Sequence, residues 1–257
     1  MAVDLIVENG IGIISLNEPP ANAYNLAMLK ELQAVILNVR TDESLRSIVI
    51  KSVLDKFFSA GADISTIQDA DASEFNHFVT VAGETMAMLE ATPKIIISAI
   101  AGHAMGGGLE LALACDVRFA SEGKYQMGLV ESKLGLNPAM GGTQRLPRLI
   151  GRSQAIHMIA TAETVDPKSA QDLGIVDWLI PQEEFDGAVM EYAEKLAAGP
   201  TLAQGMAKFS VNNGMEMGLT EAIAVERAHQ NILFKSDDAQ EGVAAFLEKR
   251  TPKFKGT

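Results

Sequence analysis

The sequence predicts an α/β fold of stacked strand-and-helix turns that ends in a helical C-terminal region. Two observations carry that reading. A unit of apolar strand, glycine-bearing loop and amphipathic helix occurs twice before residue 115, and beyond residue 141 the pattern is helical apart from 175–180. Among the 257 residues 47% are hydrophobic, enough to bury a sizeable core and to exclude a disordered chain.

Residues 3–16 read as a β-hairpin. Val3, Leu5 and Val7 alternate with Asp4, Ile6 and Glu8, and Ile11, Ile13 and Leu16 follow an Asn9-Gly10 turn. Glu18-Pro19-Pro20 breaks regular structure. From Asn25 a helical face carries Leu29, Leu32, Val35, Ile36 and Val39, and Ile48-Val49-Ile50 within 46–52 suits a buried strand. Residues 57–64 read as a loop rich in Gly and Ala, followed by an acidic stretch to Glu74. A second helix carries Phe75, Phe78, Val79, Ala82, Met86 and Leu89 and stops before Pro93. A strand over 94–100, a glycine loop over 102–108, a helix from about Leu109 to Ala114 and a short strand over 116–120 complete the second turn. No similarity between the turns is strong enough to mark an internal repeat.

Charge and composition narrow the function. A net charge of −12 argues against a general polyanion binder while leaving room for one small basic pocket. The single Cys115 excludes an intramolecular disulfide framework and fits a reducing cytoplasm. The N-terminus lacks the basic region and apolar run of a signal peptide, and no stretch reads as a membrane span, so a cytoplasmic protein is expected. His77, His103, His157 and His229 lack metal-ligand spacing, so no metal site is expected.

Three clusters carry chemistry. Phe58-Ser59-Ala60-Gly61-Ala62-Asp63 has small residues that let backbone N–H groups face a ligand, with Asp63 placed to cap the turn that follows. Gly106-Gly107-Gly108-Leu109-Glu110 opens a helix, whose unpaired first-turn N–H groups and dipole stabilise negative charge on an oxygen. It spells neither a P-loop nor a dinucleotide fingerprint. The third runs from Gly128 through Glu131 to Gly141-Gly142-Thr143-Gln144-Arg145-Leu146. Singly, each is equally compatible with a tight turn or a solvated acid.

In order along nearly the whole chain, these clusters resemble the crotonase (enoyl-CoA hydratase/isomerase) superfamily. Residues 97–112 resemble its central signature, 58–63 its first oxyanion loop, Pro138 with 141–146 its third block, and 170–177 its stretch before the C-terminal helices. The resemblance implies a crotonase-like spiral of strand-strand-helix turns over 1–195 and a helical oligomerisation region over 196–257. It implies an acyl-CoA thioester as substrate, with no cofactor beyond that CoA, and a homotrimer or dimer of trimers. It places the oxyanion hole at the backbone N–H groups of Ala62 and Gly107, and the CoA arm along Ala60, Asp63 and Ile64. Hydratases of the family carry Glu at both active-site positions, and Glu110 and Glu131 stand there. The implied reaction is hydration of a 2-enoyl-CoA, with Glu110 as base and Glu131 as proton donor. The same site would serve dehydration in reverse, and double-bond isomerisation is the neighbouring reaction. Some relatives bind RNA, but the acidic balance and the lack of a Lys/Arg-rich helix argue against it here. Ser65 stands where many relatives carry Lys, Ala139 where Gly is frequent, and Asn137 where apolar residues are usual. An acyl chain of about four to six carbons is expected, its end covered by 67–78 with Phe75 and Phe78.

Overall fold

The computed structural model describes Met1–Thr257. Strands β1 (Val3–Glu8) and β2 (Ile11–Leu16) pair antiparallel around Asn9 (φ 50°) and Gly10 (φ 78°), the two positive φ values a tight primed turn requires. Then come β3 (Ala23–Tyr24), α1 (Leu26–Thr41), β4 (Ser47–Ser52), β5 (Phe57–Ser59), β6 (Gly61–Ala62), α2 (Ile64–Gln68) and α3 (Ala72–Glu90). The next turn is β7 (Ile95–Ile100), β8 (His103–Met105) and α4 (Gly107–Ala114). After β9 (Val117–Ser121) and β10 (Met127–Gly128), a 3-10 turn spans Glu131–Leu134. Helices α5 (Gly142–Ile150), α6 (Arg152–Thr161) and α7 (Pro167–Leu173) precede β11 (Trp178–Ile180) and α8 (Phe185–Ala197). Helices α9 (Thr201–Gly214), α10 (Leu219–Leu233) and α11 (Asp237–Glu248) end the chain. No helix is long and apolar enough to cross a membrane.

The main sheet runs β1-β2-β4-β7-β9-β11, parallel from β2 onward, and a second parallel sheet runs β10-β8-β5. Successive turns of chain therefore add one strand to each sheet and one helical segment, which is the expected spiral. The central strands are covered on both faces, which explains their unbroken apolar runs. Ile14, Ile48, Ile50, Ile96 and Ile100 face the large core shared with α1, α3 and α4. Their alternates Ile13, Val49, Ile97 and Ala99 face a smaller core with Phe185, Val189 and Ala193 of α8. The alternation expected in β1 fails: Ile6 and Val7 are 55% and 54% exposed because β1 is the sheet edge and nothing covers its far end.

Residues 57–64, expected as a loop, instead form β5 and β6 and lead straight into α2. These strands borrow their hydrogen bonds from β8 and β3 rather than from any local pattern. The acidic stretch before α3 is a capping box, in which Asp71 accepts from the Ser73 and Glu74 N–H groups and Glu74 accepts from the Asp71 N–H. Helix α9 is tied to the core by Lys208. Its buried Nζ donates to the Leu89 and Lys94 carbonyls and pairs with Asp116 at 2.8 Å. Helix α10 buries none of its residues, and Leu219, Phe234, Phe246 and Leu247 are all more than 70% exposed on α10, α11 and their junction.

Candidate active site

Helix α4 begins two residues earlier than the sequence suggested because Gly106, at φ 51° and ψ −123°, turns the chain sharply out of β8. The helix lies so close to β5 that a Cβ on Gly108 would sit 2.2 Å from the Ser59 carbonyl oxygen. Across from it, Gly61 takes φ 86°, and a Cβ there would lie 2.7 Å from the Met105 oxygen and 2.8 Å from the Gly107 nitrogen. The first and second glycine clusters thus touch through backbone. As first residue of α4, Gly107 has no intrahelical acceptor for its N–H. The Asp63 N–H donates to the Tyr24 carbonyl at 2.8 Å, so the preceding peptide N–H, that of Ala62, points to the opposite side of the β3–β6 ladder.

Two carboxyl groups face the same cleft and are held differently. Glu110, one turn into α4 and 2% exposed, accepts at Oε1 from the Met140 N–H (2.8 Å) and the Gly142 N–H (2.7 Å). Burial raises its pKa, while those two N–H groups and the nearby Arg145 charge oppose the rise. Glu131 opens the 3-10 turn, with Oε1 against Gly106 and Oε2 buried without a hydrogen-bond partner. Burial is the main reason its pKa is pushed up to about 7, and the charge of Glu110 adds to it. One carboxyl is provided with donors that favour the anion; the other is set to keep its proton near neutrality.

The cleft is lined by Ala60, Ala62, Ile64, Gly107, Glu110 and Glu131, and its apolar wall includes Ile67, Phe75, Phe78, Leu134 and Leu136. Six of the seven residues singled out in the sequence therefore converge, from the β5–β6 link, β6, α2, α4 and the 3-10 turn. Asp63 does not line the cleft. Its carboxylate caps α2, accepting from the Ser65 N–H (3.0 Å) and hydroxyl (2.7 Å), as expected from its place ahead of a turn. Asn137 and Ala139 both border the cleft.

The groups that seat Glu110 had no role in the sequence reading. Arg145 makes a two-pronged pair with Glu90 (2.7 and 2.8 Å) and donates to the Met140 carbonyl at 2.7 Å. It thereby fixes the 140–142 backbone whose N–H groups hold Glu110. Gly141 is required there by its φ of 106°, which L side chains rarely adopt, and a Cβ would also crowd the Arg145 guanidinium. Backbone donors have no side-chain signature, although the Gly141-Gly142 and Arg145 spacing marks the place.

Residues 7–257 match the family model described as enoyl-CoA hydratase/isomerase. The enoyl-CoA hydratase crystal structure from Geobacillus kaustophilus HTA426 superposes with a TM-score of 0.98 at 42% identity, covering 100% of this chain and 97% of that one. The mitochondrial methylglutaconyl-CoA hydratase of Mus musculus is 38% identical over 96% of this chain and 80% of its own length. The crotonyl-CoA hydratase of Syntrophomonas wolfei is 34% identical over 96% of this chain and 95% of its own. With its spiral fold, its touching glycine clusters and a match over almost its entire length, the chain belongs to the enoyl-CoA hydratase/isomerase family.

Proposed function

We propose that the protein is an enoyl-CoA hydratase, adding water reversibly across the 2,3 double bond of an acyl-CoA thioester to give the 3-hydroxyacyl-CoA. The observation that carries the reading is the pair of unequal carboxyls, Glu110 and Glu131, in one cleft beside the Ala62 and Gly107 backbone. Attack of water at C3 moves charge onto the thioester oxygen. The Ala62 and Gly107 N–H groups receive that oxygen, each worth about 3 kcal/mol of transition-state stabilisation. Glu110, seated by the Met140 and Gly142 N–H groups, takes the proton from water, and Glu131 delivers one to C2. Ala60 and Ile64 lie along the CoA arm. The lining holds two acids and no Lys, Arg or His, so a second carboxylate, as in methylglutaconyl-CoA, would meet no counter-charge. An uncharged acyl group such as crotonyl fits better.

The test is loss of the conjugated thioester absorbance of crotonyl-CoA, followed from pH 5 to pH 9. A donor must start protonated, so kcat/KM, which reports ionisation of the free enzyme, falls tenfold per unit of pH above about 7 as Glu131 ionises. Flat activity from pH 6 to pH 9 would contradict Glu131 as the acid. No hydration, with turnover of a 3-enoyl-CoA instead, would replace hydratase by isomerase. Arg145→Met should lower kcat by about tenfold through a loosened Glu110 seat, with KM for crotonyl-CoA changed less than threefold. An unchanged kcat would remove Arg145 from the positioning role.

The helical region beyond residue 195 is the proposed trimer contact. Its exposed Leu219, Phe234, Phe246 and Leu247 are a large apolar surface for a single chain to leave in water. Sedimentation equilibrium at micromolar concentration should return a trimer or a dimer of trimers. A monomer would refute the assignment.

A further inference from the structure

Two hollows share one wall. Segment 134–137 closes one side of the catalytic cleft, and on its other side lies a second hollow whose apolar floor is Pro147, Ala155, Ile156 and Ile159 of α5 and α6, with Ser132, Thr143 and Arg152 also in its lining. Leu136 and Asn137 line both spaces, whereas neither catalytic glutamate reaches the second. The wall is thin and lightly tied. Gly135 has open space where a Cβ would stand, Leu136 N–H donates to the Glu131 carbonyl at 3.1 Å, and the Asn137 amide reaches only the adjacent Pro138 carbonyl at 3.3 Å. Asn137 is also the only uncharged polar side chain lining the cleft. An apolar chain pressed against it would strip water from the amide without replacing the lost hydrogen bonds.

We propose that Asn137 sets acyl-chain length: with Leu136 it partitions the cleft from the hollow on α6, which would accept the distal methylenes of a longer acyl chain. This rests on the acyl-CoA reading above, but its consequence is a matter of binding and not of proton transfer. Wild type should stop gaining affinity once the chain reaches the partition. Removing the Asn137 side chain joins the two spaces, and each further methylene buried on α6 strengthens binding by about fourfold.

Calorimetry with butyryl-CoA and decanoyl-CoA, which carry no double bond and cannot be hydrated, reads this directly. Wild type should bind decanoyl-CoA no more than about threefold tighter than butyryl-CoA. Asn137→Gly should raise that ratio at least about tenfold. Adding Ala160→Phe, which fills the hollow from α6, should return it to the wild-type value. Should Asn137→Gly fail to fold, Leu136→Ala opens the same wall and the same ratio is read. A ratio unmoved by opening the wall overturns the proposal, as does a gain that survives filling the hollow or a wild type that already favours decanoyl-CoA strongly. If crotonyl-CoA is not hydrated yet the binding ratio shifts as stated, the hydratase reading falls and the partition stands.

Discussion

Glu110→Gln and Glu131→Gln are each expected to lose about 10² to 10⁴-fold in kcat on crotonyl-CoA. Gln keeps the size of each side chain, and at Glu110 it keeps an oxygen that can accept from the Met140 and Gly142 N–H groups. What disappears is the ionisable proton. Because both groups act in one hydration step, the double variant should lose less than the product of the single losses. The stability of Glu131→Gln supplies an independent reading. The folded pKa of Glu131, about 7, lies above its ordinary value of 4.5. The folded state therefore holds a proton that the unfolded chain releases above about pH 4.5, and the stability this contributes is full below that pH and lost as pH rises through 7. Gln does not ionise. The variant should thus gain on wild type as pH rises from 4.5 to 7, then hold a constant advantage of roughly 3–6 °C in Tm at pH 8. A folded Glu131→Gln with near-wild-type hydration would remove the case for a hydratase and leave enolate chemistry resting on Glu110 alone.

Elements with long periods were legible in the sequence. Asn9-Gly10 marked the first hairpin, and the repeat of Leu29, Leu32, Ile36 and Val39 marked α1, all four of which are buried. The misread segments are those whose structure comes from elsewhere in the chain. Strands β5 and β6 are three and two residues long, too short for alternation to show, and they exist because β8 and β3 pair with them. The site divides in the same way. The clusters around Ala62 and Gly107 stood out because small residues and glycine runs leave a visible trace, and the resemblance picked the two donors within them; the Gly141-Gly142 cluster was equally visible, but nothing in it showed that the Met140 and Gly142 amides seat Glu110. Glu110 and Glu131 meet only after the chain has completed a turn of the spiral through β9 and β10. No local spacing links them, and the resemblance to a family did what periodicity could not.

Gly61→Ala should remove activity while sparing the fold. At φ 86° an alanine costs about 1–2 kcal/mol, or roughly 2–8 °C in Tm for a chain of this size. The added methyl cannot be accommodated by a flexible neighbour, since the atoms it meets at 2.7 and 2.8 Å are the Met105 carbonyl oxygen and the Gly107 nitrogen. Relief must come from separating the β6 segment from the start of α4, which pulls the Ala62 and Gly107 donors apart. Their value lies in being aimed at one developing oxyanion, so losing that alignment should cost about 10² to 10³-fold in kcat. Gly107→Ala is the informative comparison. Its Cβ would approach the terminal methyl of Met140 at 2.6 Å, and a methionine end can swing aside. That variant should keep more activity than Gly61→Ala, within about tenfold of wild type. The measurement is kcat on crotonyl-CoA with butyryl-CoA affinity and Tm for all three proteins. Equal losses in the two variants, or a Gly61→Ala protein that stays active, would show that the close approach of these two loops does not align the donors.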